Sequence, residues 1–572
     1  FSYGKKHFWV DRSTGKPSAS PSSMKGEESS ITGGHSRLIT HGHTDNQPIW
    51  RSGILVLHNG IVLNSAVLWS ALGETPNSNI DTEVIAALVR HGLNAGMSAK
   101  EACEAAIDRC DGVLNLAVLI PDKGTFVLCS NNGSLYVGTK GSSFYFASEE
   151  FALRTIHAES VRQVHGAATY DVPTSQRDPV ISESKTLNPV LLPTPELKTG
   201  EANLLSFPPE KLQRCTRCIL PESMPFIVFG QDGVCNYCQN YKKKVSQADN
   251  PEDELLQRLE QTGLDAVKRT VLMPFSGGRD SSYGLHLAVK RLGIKPIAFT
   301  YDWGMLSDVG RRNASRMCAA LGVEQIVVAA DIAKKRRYIQ KNVVAWLARP
   351  KLGMVNLFTA GDKHFFKFLT ILRAETGIRP NLWSFNPLET THFKTGFLGM
   401  APDFQKDEVY KRGLSPQLRY QFARARETTK NRGYLNSSVL DTLSGEFHRS
   451  VAKKTDYSEV FDFFKWDEKA VDSTLKDLYE WEVTPESPST WRIGDATAAF
   501  YNYIFRRVAG FSEYDTFRSN QVREGHLSRA AALELSRAEN VPRYRDIKWY
   551  LEAIGLEFSP TIRTINNIPR LY

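Results

Sequence analysis

The sequence predicts a multidomain chain, α+β at its start and α/β at its end, and three observations predict it. Residues 1–168 carry many short strand-like runs around one amphipathic helix. Four cysteines form two CxxC pairs across 215–238. From about 270 to 390, buried-strand and helix signals alternate ahead of a mostly helical end. At 572 residues and 41% hydrophobic content, three or four domains with ordinary cores are expected. No apolar run has bilayer length and no basic-then-apolar leader opens the chain, so a soluble, cytoplasmic protein without a membrane span is expected. The formal net charge of +9 would suit an anionic substrate, a nucleotide or RNA. The basic residues are dispersed, however, with short clusters at Lys242–Lys244 and Lys334–Arg337, the pattern of a solvated surface.

Taken in order, "GILVLHNGIVLN", "LNLAVLIP" and "TFVLCSNNGSLYVG" read as strands. "DTEVIAALVRHGL" reads as a helix with Val84, Ile85, Leu88 and Val89 on one face. Residues 1–168 are therefore an α+β domain. Residues 169–210 are rich in Pro and polar residues and read as a linker. The cysteine segment occupies 211–245 and the α/β part with its helical tail occupies 246–572, with no internal repeat.

The eight cysteines divide into two kinds. Cys103, Cys110, Cys129 and Cys318 sit in apolar surroundings and read as small core residues. Cys215, Cys218, Cys235 and Cys238 make CxxC, sixteen residues, CxxC, which lets two tight turns present four thiolates to one Zn²⁺. All four positions would be filled, leaving no open site, so the zinc is expected to be structural. Disulfides are the alternative, and a cytoplasmic setting argues against them.

The stretch "VLMPFSGGRDSSYGLHLAVKRLG" at 271–293 sets a strand, a Gly-Gly turn and a helix back to back. The turn lets backbone N–H groups converge at a positive helix end, an anion nest. It lacks the Gly-Lys-Ser/Thr ending that grips a terminal phosphate. "SGGRDSS" resembles the loop of the PP-loop ATPases, which split ATP between its α and β phosphates and attach AMP to a substrate oxygen. The resemblance implies that Ser276, Gly277, Gly278, Asp280, Ser281 and Ser282 hold ATP and its pyrophosphate, with Asp280 also a catalytic Mg²⁺ contact. Asp302, ending the strand-like "PIAFTYDWG", is a second nucleotide-side candidate, or else a helix cap. Glu389 of "NPLETTHFKTG" is a substrate-side candidate.

At the other end of the chain, "GGHSRLITHGHTDNQP", "LVLHNGIVLN" and "NSNIDTEVIAAL" resemble, in order and spacing, the glutaminase domain of class II amidotransferases. That family has an N-terminal-nucleophile fold, two packed sheets between helices (αββα). The resemblance implies that Arg37 pairs with the α-carboxylate of glutamine, that Asn59 and Gly60 form the oxyanion hole, and that Asp81 takes the α-amino group. The family's nucleophile is an N-terminal Cys. This sequence begins "FSYGKK", and its first cysteine is Cys103. The expectation is a nucleophile just upstream of Phe1, an inactive glutaminase, or direct use of ammonia.

A CxxC ribbon ahead of the loop, with "CTRCILPESMP" and "GVCNYC", resembles the N-acetyl sugar amidotransferases of bacterial surface-polysaccharide pathways over residues 211–572. That resemblance implies that the acyl oxygen of an N-acetylated nucleotide sugar is adenylated and that ammonia displaces AMP to leave an acetamidine. The expected protein is thus a glutamine-dependent amidotransferase using ATP, Mg²⁺ and structural Zn²⁺. A tRNA-thiolating PP-loop enzyme is the alternative, although a glutaminase has no role there. Nucleic-acid binding has little support, because the segment between the cysteine pairs is apolar and lacks basic residues. The oligomeric state stays open, a homo-oligomer included.

Overall fold

A computed structural model of the chain describes residues 1–12, 29–35, 46–183, 194–208, 212–244, 248–359, 361–404, 414–451 and 456–570. The chain divides into two compact units. One comprises Phe1–Leu191 with Lys295–Thr300 and Arg312–Val327; the other comprises Leu192–Ile294, Tyr301–Arg311 and Val328–Tyr572.

In the first unit, the apolar runs are uninterrupted because both faces of the central sheet are covered. This sheet has the order β11–β7–β6–β5–β4: Gly166–Asp171, Thr125–Ser130, Leu114–Ile120, Ile54–Gly60 and Ile49–Arg51. All its neighbours pair antiparallel. On β5, Ile54 and Val56 enter one core with Val84, Ile85 and Leu88 of the Thr82–Asn94 helix and Ala102 and Ala106 of the Ala99–Arg109 helix. Leu55 and Leu57, pointing the other way, enter a second core with Tyr3, Phe8 and Val10. Those last residues lie on a sheet of order β12–β2–β1–β3: Val180–Glu183, Phe8–Arg12, Ser2–Tyr3 and Ile31–Thr32. A three-stranded sheet, β10–β8–β9 (Glu159–Gln163, Tyr136–Lys140, Ser143–Ala147), completes the unit, with the short helix Glu150–Thr155 packed on it. Helices, sheet and sheet are thus layered, and among the described residues the fourth, helical layer of the expected αββα arrangement is limited to that short helix. The segment read as a linker is also more than that. Its residues Thr169–Asp171 continue β11, and its strand β12 pairs parallel with β2.

In the second unit the strands β13 (Thr270–Pro274), β16 (Asn381–Trp383) and β17 (Tyr457–Glu459) lie side by side in that order, and β14 (Lys295–Asp302) and β15 (Gln325–Ala329) are the two strands between β13 and β16 in the chain. Parallel pairing joins β13 to β16 and β16 to β17, as the alternation of strand and helix signals predicts. In β13, Val271, Leu272 and Met273 are fully buried, and the strand delivers the chain into the Ser276–Gly278 turn. The expected helical end consists of Ala498–Ala509, Glu513–Glu524, Arg529–Glu539, Tyr544–Ala553 and Phe558–Asn566.

One of these helices breaks the usual pattern. Glu513–Glu524, "EYDTFRSNQVRE", has no apolar stripe, yet eleven of its residues are buried. It holds because its ends are capped and its charges are paired. A capping box joins Ser512 and Asp515 at the start, and Gly525 takes a left-handed conformation (φ 87°) at the end. Glu513 meets Lys394, Arg492 and the Tyr501 hydroxyl; Asp515 meets Arg214; Arg518 meets Glu468 and Glu539; Glu524 accepts from the Tyr241 hydroxyl at 2.6 Å. Burial alone would raise the Glu513 carboxyl, but Arg492 and Lys394 bring it down to about 2.

A buried carboxylate so displaced contributes on the order of 3 kcal/mol, present above the unfolded carboxylate pKa of about 4.3 and lost as pH falls towards 2. Urea unfolding followed by circular dichroism should therefore show stability falling steeply over that window. Glu513→Gln should be less stable at pH 7 and show a shallower slope between about pH 4.5 and 2. Parallel curves for the two proteins would contradict the pairing.

Candidate functional site

In the first unit, the residues around Asn59 and Gly60 are set by a buried polar frame at the end of β5. Gln47 accepts from the His58 N–H at 2.7 Å, and its amide donates to the His58 carbonyl at 3.0 Å and to the Thr82 hydroxyl at 3.1 Å. The His58 ring is buried between Thr82 and the Val113 carbonyl. Beyond it Asn59 is exposed, and its carbonyl accepts from Asn115. Gly60 has φ 153°, and a Cβ there would lie 1.8 Å from the Val113 carbonyl oxygen, so only glycine fits. Asp81 caps the Thr82–Asn94 helix: it accepts from the Thr82 N–H at 3.0 Å and from the Val62 N–H at 2.8 Å. Its carboxylate thereby ties the chain leaving Gly60 to the helix start. Glu83 was not singled out from the sequence, yet it orders the loop ahead of the helix through Asn77, Ser78 and Arg51. Arg37 lies outside the described residues.

In the second unit, residues 270–286 form the expected strand–turn–helix, with Gly277 at φ 70° and the helix Arg279–His286 starting directly after Gly278. The Ser276 hydroxyl accepts from the Gly278 N–H at 3.3 Å and lies 3.2 Å from the Ser281 hydroxyl, which donates to the Gly278 carbonyl at 3.0 Å. Ser276 and Ser281 thus shape the turn. Ser282 is fully buried beneath it, 3.3 Å from the Trp481 indole nitrogen. Asp280 accepts from the Trp466 indole N–H at 2.7 Å, and the Asn386 amide lies 3.5 Å away. Asp302 is buried, paired with Arg311 at 2.6 Å and accepting from the Gly304 N–H at 2.8 Å.

Arg279 was quoted within the loop motif but given no role by the sequence. It is buried, with its guanidinium 4.9 Å from the Trp466 ring centroid and 5.5 Å from that of Phe517, and it donates to Glu468 at 2.9 Å and to Thr490 at 3.3 Å. The turn is therefore bolted to the Glu513–Glu524 helix through Phe517. A sequence signal for this exists only in retrospect: an arginine where the loop needs none for phosphate, and a polar helix lacking a core-facing stripe.

Next to the loop lies a pocket of about 490 Å³. Its lining includes Asn386, Glu389, Thr390, Lys394 and Arg492 together with Lys363, Gln421, Arg424 and Arg449. Loop and pocket meet at Asn386 and Glu389. Glu389 accepts from the Trp491 indole N–H, with Arg492 at 3.7 Å. Burial, reinforced by the neighbouring Asp280, pushes Glu389 up to about 7, against the opposing pull of Arg492.

Cys215, Cys218, Cys235 and Cys238 are all buried, and their sulfur atoms lie within 4.8 Å of one another. Two pairs, Cys215 with Cys238 and Cys218 with Cys235, are 3.9 Å apart, close to the roughly 3.8 Å that a tetrahedral site with 2.3 Å metal–sulfur bonds requires. No disulfide joins them. The cluster is closed by the second unit's own helices: Arg523 donates to Cys218 and Cys238 Sγ at 3.3 Å each, and Arg529 donates to the carbonyls of Cys215 and Cys218 at 3.0 Å each. Sequence reading missed both arginines, which lie 285 to 314 residues away.

By comparison, residues 35–155 match the family model of a glutamine amidotransferase domain. The glutamine–fructose-6-phosphate aminotransferase (isomerizing) of Mesorhizobium japonicum is 34% identical over 127 residues, covering 21% of this chain and 21% of its own length. The enzyme of the same name from Caulobacter vibrioides is 35% identical over 127 residues, with the same coverage. The chain thus spans about a fifth of the length of these curated relatives. Among solved structures, the glutamine phosphoribosylpyrophosphate amidotransferase of B. subtilis aligns over 52% of this chain and 66% of its own, at 15% identity and a TM-score of 0.22. The NH3-dependent NAD synthetase of Campylobacter jejuni aligns over 36% of this chain and 97% of its own, at 14% identity and a TM-score of 0.18. Scores this low carry no inference. No helix among the described residues is long and apolar enough to cross a membrane.

Outside the four-cysteine cluster, none of the thiols is built as a nucleophile. Cys103 and Cys129 lie in the helix–sheet core, and Cys318 is buried. Burial pushes all four of these thiols up, Cys110 and Cys129 to about 12. A thiol at about 12 is ionised only about one part in ten thousand at pH 8. Native protein treated with iodoacetamide at pH 8 should leave Cys103, Cys129 and Cys318 unmodified by peptide mass mapping, whereas urea-unfolded protein should be labelled at each. Rapid labelling of any of them in the native chain would refute the burial.

Proposed function

We propose that this chain is a glutamine-dependent, ATP-dependent amidating enzyme, with its glutaminase in 1–168, its metal-binding ribbon in 211–245 and its synthetase in 246–572. The observation that carries the reading is the junction at Asn386 and Glu389, where the turn suited to pyrophosphate borders a pocket able to take a second substrate. An acyl or amide oxygen of the acceptor attacks the α-phosphorus of ATP; the bond to the β-phosphate breaks, and pyrophosphate departs with its electron pair into Ser276–Ser281. The lone pair of ammonia then adds to the acceptor carbon, the carbon–oxygen bond breaks, AMP leaves with that pair, and the nitrogen gives up a proton. The product is an amide or amidine.

In the first unit, Asn59 and Gly60 would polarise the side-chain amide of glutamine while Arg37 and Asp81 hold its α-carboxylate and α-amino groups. The match of residues 35–155 to a glutamine amidotransferase domain supports glutamine as the nitrogen donor. The polar lining of the pocket, with Thr390, Gln421, Lys363, Arg424 and Arg449, suits a hydroxyl-rich acceptor bearing negative charge, in keeping with an N-acetylated nucleotide sugar. Asp280 would hold the Mg²⁺ that neutralises the leaving pyrophosphate. The cytoplasm, which supplies ATP and keeps thiols reduced, is the setting this chemistry needs.

The test incubates the chain with ATP, ammonium and candidate N-acetylated nucleotide sugars, following AMP, ADP and pyrophosphate together. AMP and pyrophosphate are expected, and Asp280→Ala should lower AMP formation about a hundredfold to a thousandfold, the usual loss for one preorganised electrostatic group. ADP with inorganic phosphate would exclude adenylation. Near-normal AMP formation by Asp280→Ala would remove Asp280 from the site.

The four cysteines fit zinc in donor type, number and spacing. Metal analysis should return about one zinc per chain. A folded chain carrying disulfides between these cysteines, or no metal, would overturn the assignment.

A further inference from the structure

The ribbon's metal has been treated so far as a local staple, but the geometry gives it a second attachment. Arg523 spends all three of its guanidinium nitrogens at once. Nε and Nη2 fork onto Cys238 and Cys218 Sγ at 3.3 Å each, and Nη1 donates to the side-chain oxygen of Asn520 at 2.7 Å, one turn earlier on the same helix. That bond fixes which end of the Asn520 amide faces away. The amide nitrogen so presented donates to the carbonyls of Leu388 at 2.8 Å and Thr390 at 3.3 Å, on either side of Glu389. Asn520 and Arg523 are both buried, so no water competes for these bonds.

We propose that metal bound by the four cysteines holds the loop Asn386–Thr391 in place through Arg523 and Asn520, so that the ribbon is a positioning element for the acceptor side of the site. With the metal bound, the four sulfurs are held together and give the guanidinium fork two fixed anionic acceptors. When it leaves, the sulfurs separate, the fork loses its register, and the Asn520 amide is free to rotate off the loop. The same helix carries Phe517 against Arg279, but that contact reaches the turn through aromatic packing and does not depend on the sulfurs. The loop carrying Glu389 is thus the part of the site expected to respond to metal. That this loop is the acceptor side rests on the proposed function; the coupling of the loop to the metal rests on metal occupancy of the ribbon alone.

The loop has its own reporters: the Leu388 and Glu389 amides are protected by bonds to Asn386, to its side-chain oxygen at 2.9 Å and to its carbonyl at 3.1 Å. Hydrogen exchange at 386–391 is measured in the full chain as purified, after stripping with a chelator, and after adding back zinc alone, with metal content determined at each stage. In the unaltered protein, stripping should speed exchange at Leu388 and Glu389 at least about tenfold, and zinc should reverse it. Asn520→Ala should keep its zinc, exchange at these amides at the stripped rate, and no longer respond to metal. Arg523→Met should lose the response as well, while Arg523→Lys, which can still donate to one sulfur, should regain part of it. A merely structural arginine would instead leave the zinc response intact on a raised baseline. If Arg523→Met fails to fold, Asn520→Ala decides alone. Zinc-sensitive exchange confined to 212–244, or an Asn520→Ala protein whose loop still follows zinc, overturns this inference while leaving the metal assignment standing. A chain that takes up no zinc overturns both.

Discussion

The second unit depends on one constraint: a helix made almost entirely of polar and charged residues is buried, so each of its charges must find a partner or unfold the unit. Glu513, Asp515, Arg518, Arg523 and Glu524 have no water to fall back on. Their partners are therefore pinned in turn. Glu513 draws in Lys394 and Arg492, and Arg492 adopts a left-handed backbone conformation (φ 59°), a cost of the kind that buried ion pairs hold in place. Arg518 fixes Glu468, which fixes Arg279 at the head of the loop helix. The helix is thus a hub from which three pieces are positioned: the Ser276–Gly278 turn, the Asn386–Thr391 loop and the cysteine ribbon.

Electrostatics at the junction of loop and pocket follow from that arrangement. Asp280 and Glu389 are neighbouring carboxyl groups in a low-dielectric setting, and both cannot keep a full negative charge without cost. Burial and the neighbouring Asp280 drive Glu389 up, even with the Trp491 N–H donating to it and Arg492 nearby. The Trp466 N–H donates to Asp280, and both tryptophans pack on Phe517 of the central helix.

The first unit works by a different economy. Its strands are buried on both faces, so the apolar runs of β5 and β6 settle the layers, and on β5 the polar residues His58 and Asn59 come at the end of the run. There Gln47, His58 and Thr82 form a closed set of hydrogen bonds that leaves Asn59 exposed and Gly60 in a conformation other residues resist. Asp81 caps a helix in this structure, as its place ahead of "TEV" suggests, and the cap also fastens the chain that follows Gly60.

The sequence by itself determined the features that rest on local chemistry. The strand, turn and helix at 270–286 follow from an apolar run, two glycines and a polar helix start. The four-sulfur cluster follows from two CxxC turns, and the amidotransferase character of the first unit from three short motifs in order. These were legible because each is a contiguous segment whose residue types dictate its shape. What only the tertiary structure decided is everything held by partners far along the chain: that part of a Pro-rich stretch becomes a strand, that Arg279 lies between Trp466 and Phe517, and that Arg523 closes on two sulfurs. The physical reason is that a buried charge is neutral to local propensity. Nothing in "EYDTFRSNQVRE" distinguishes a solvated helix from a buried one, because the difference lies wholly in whether complementary charges arrive from elsewhere in the fold.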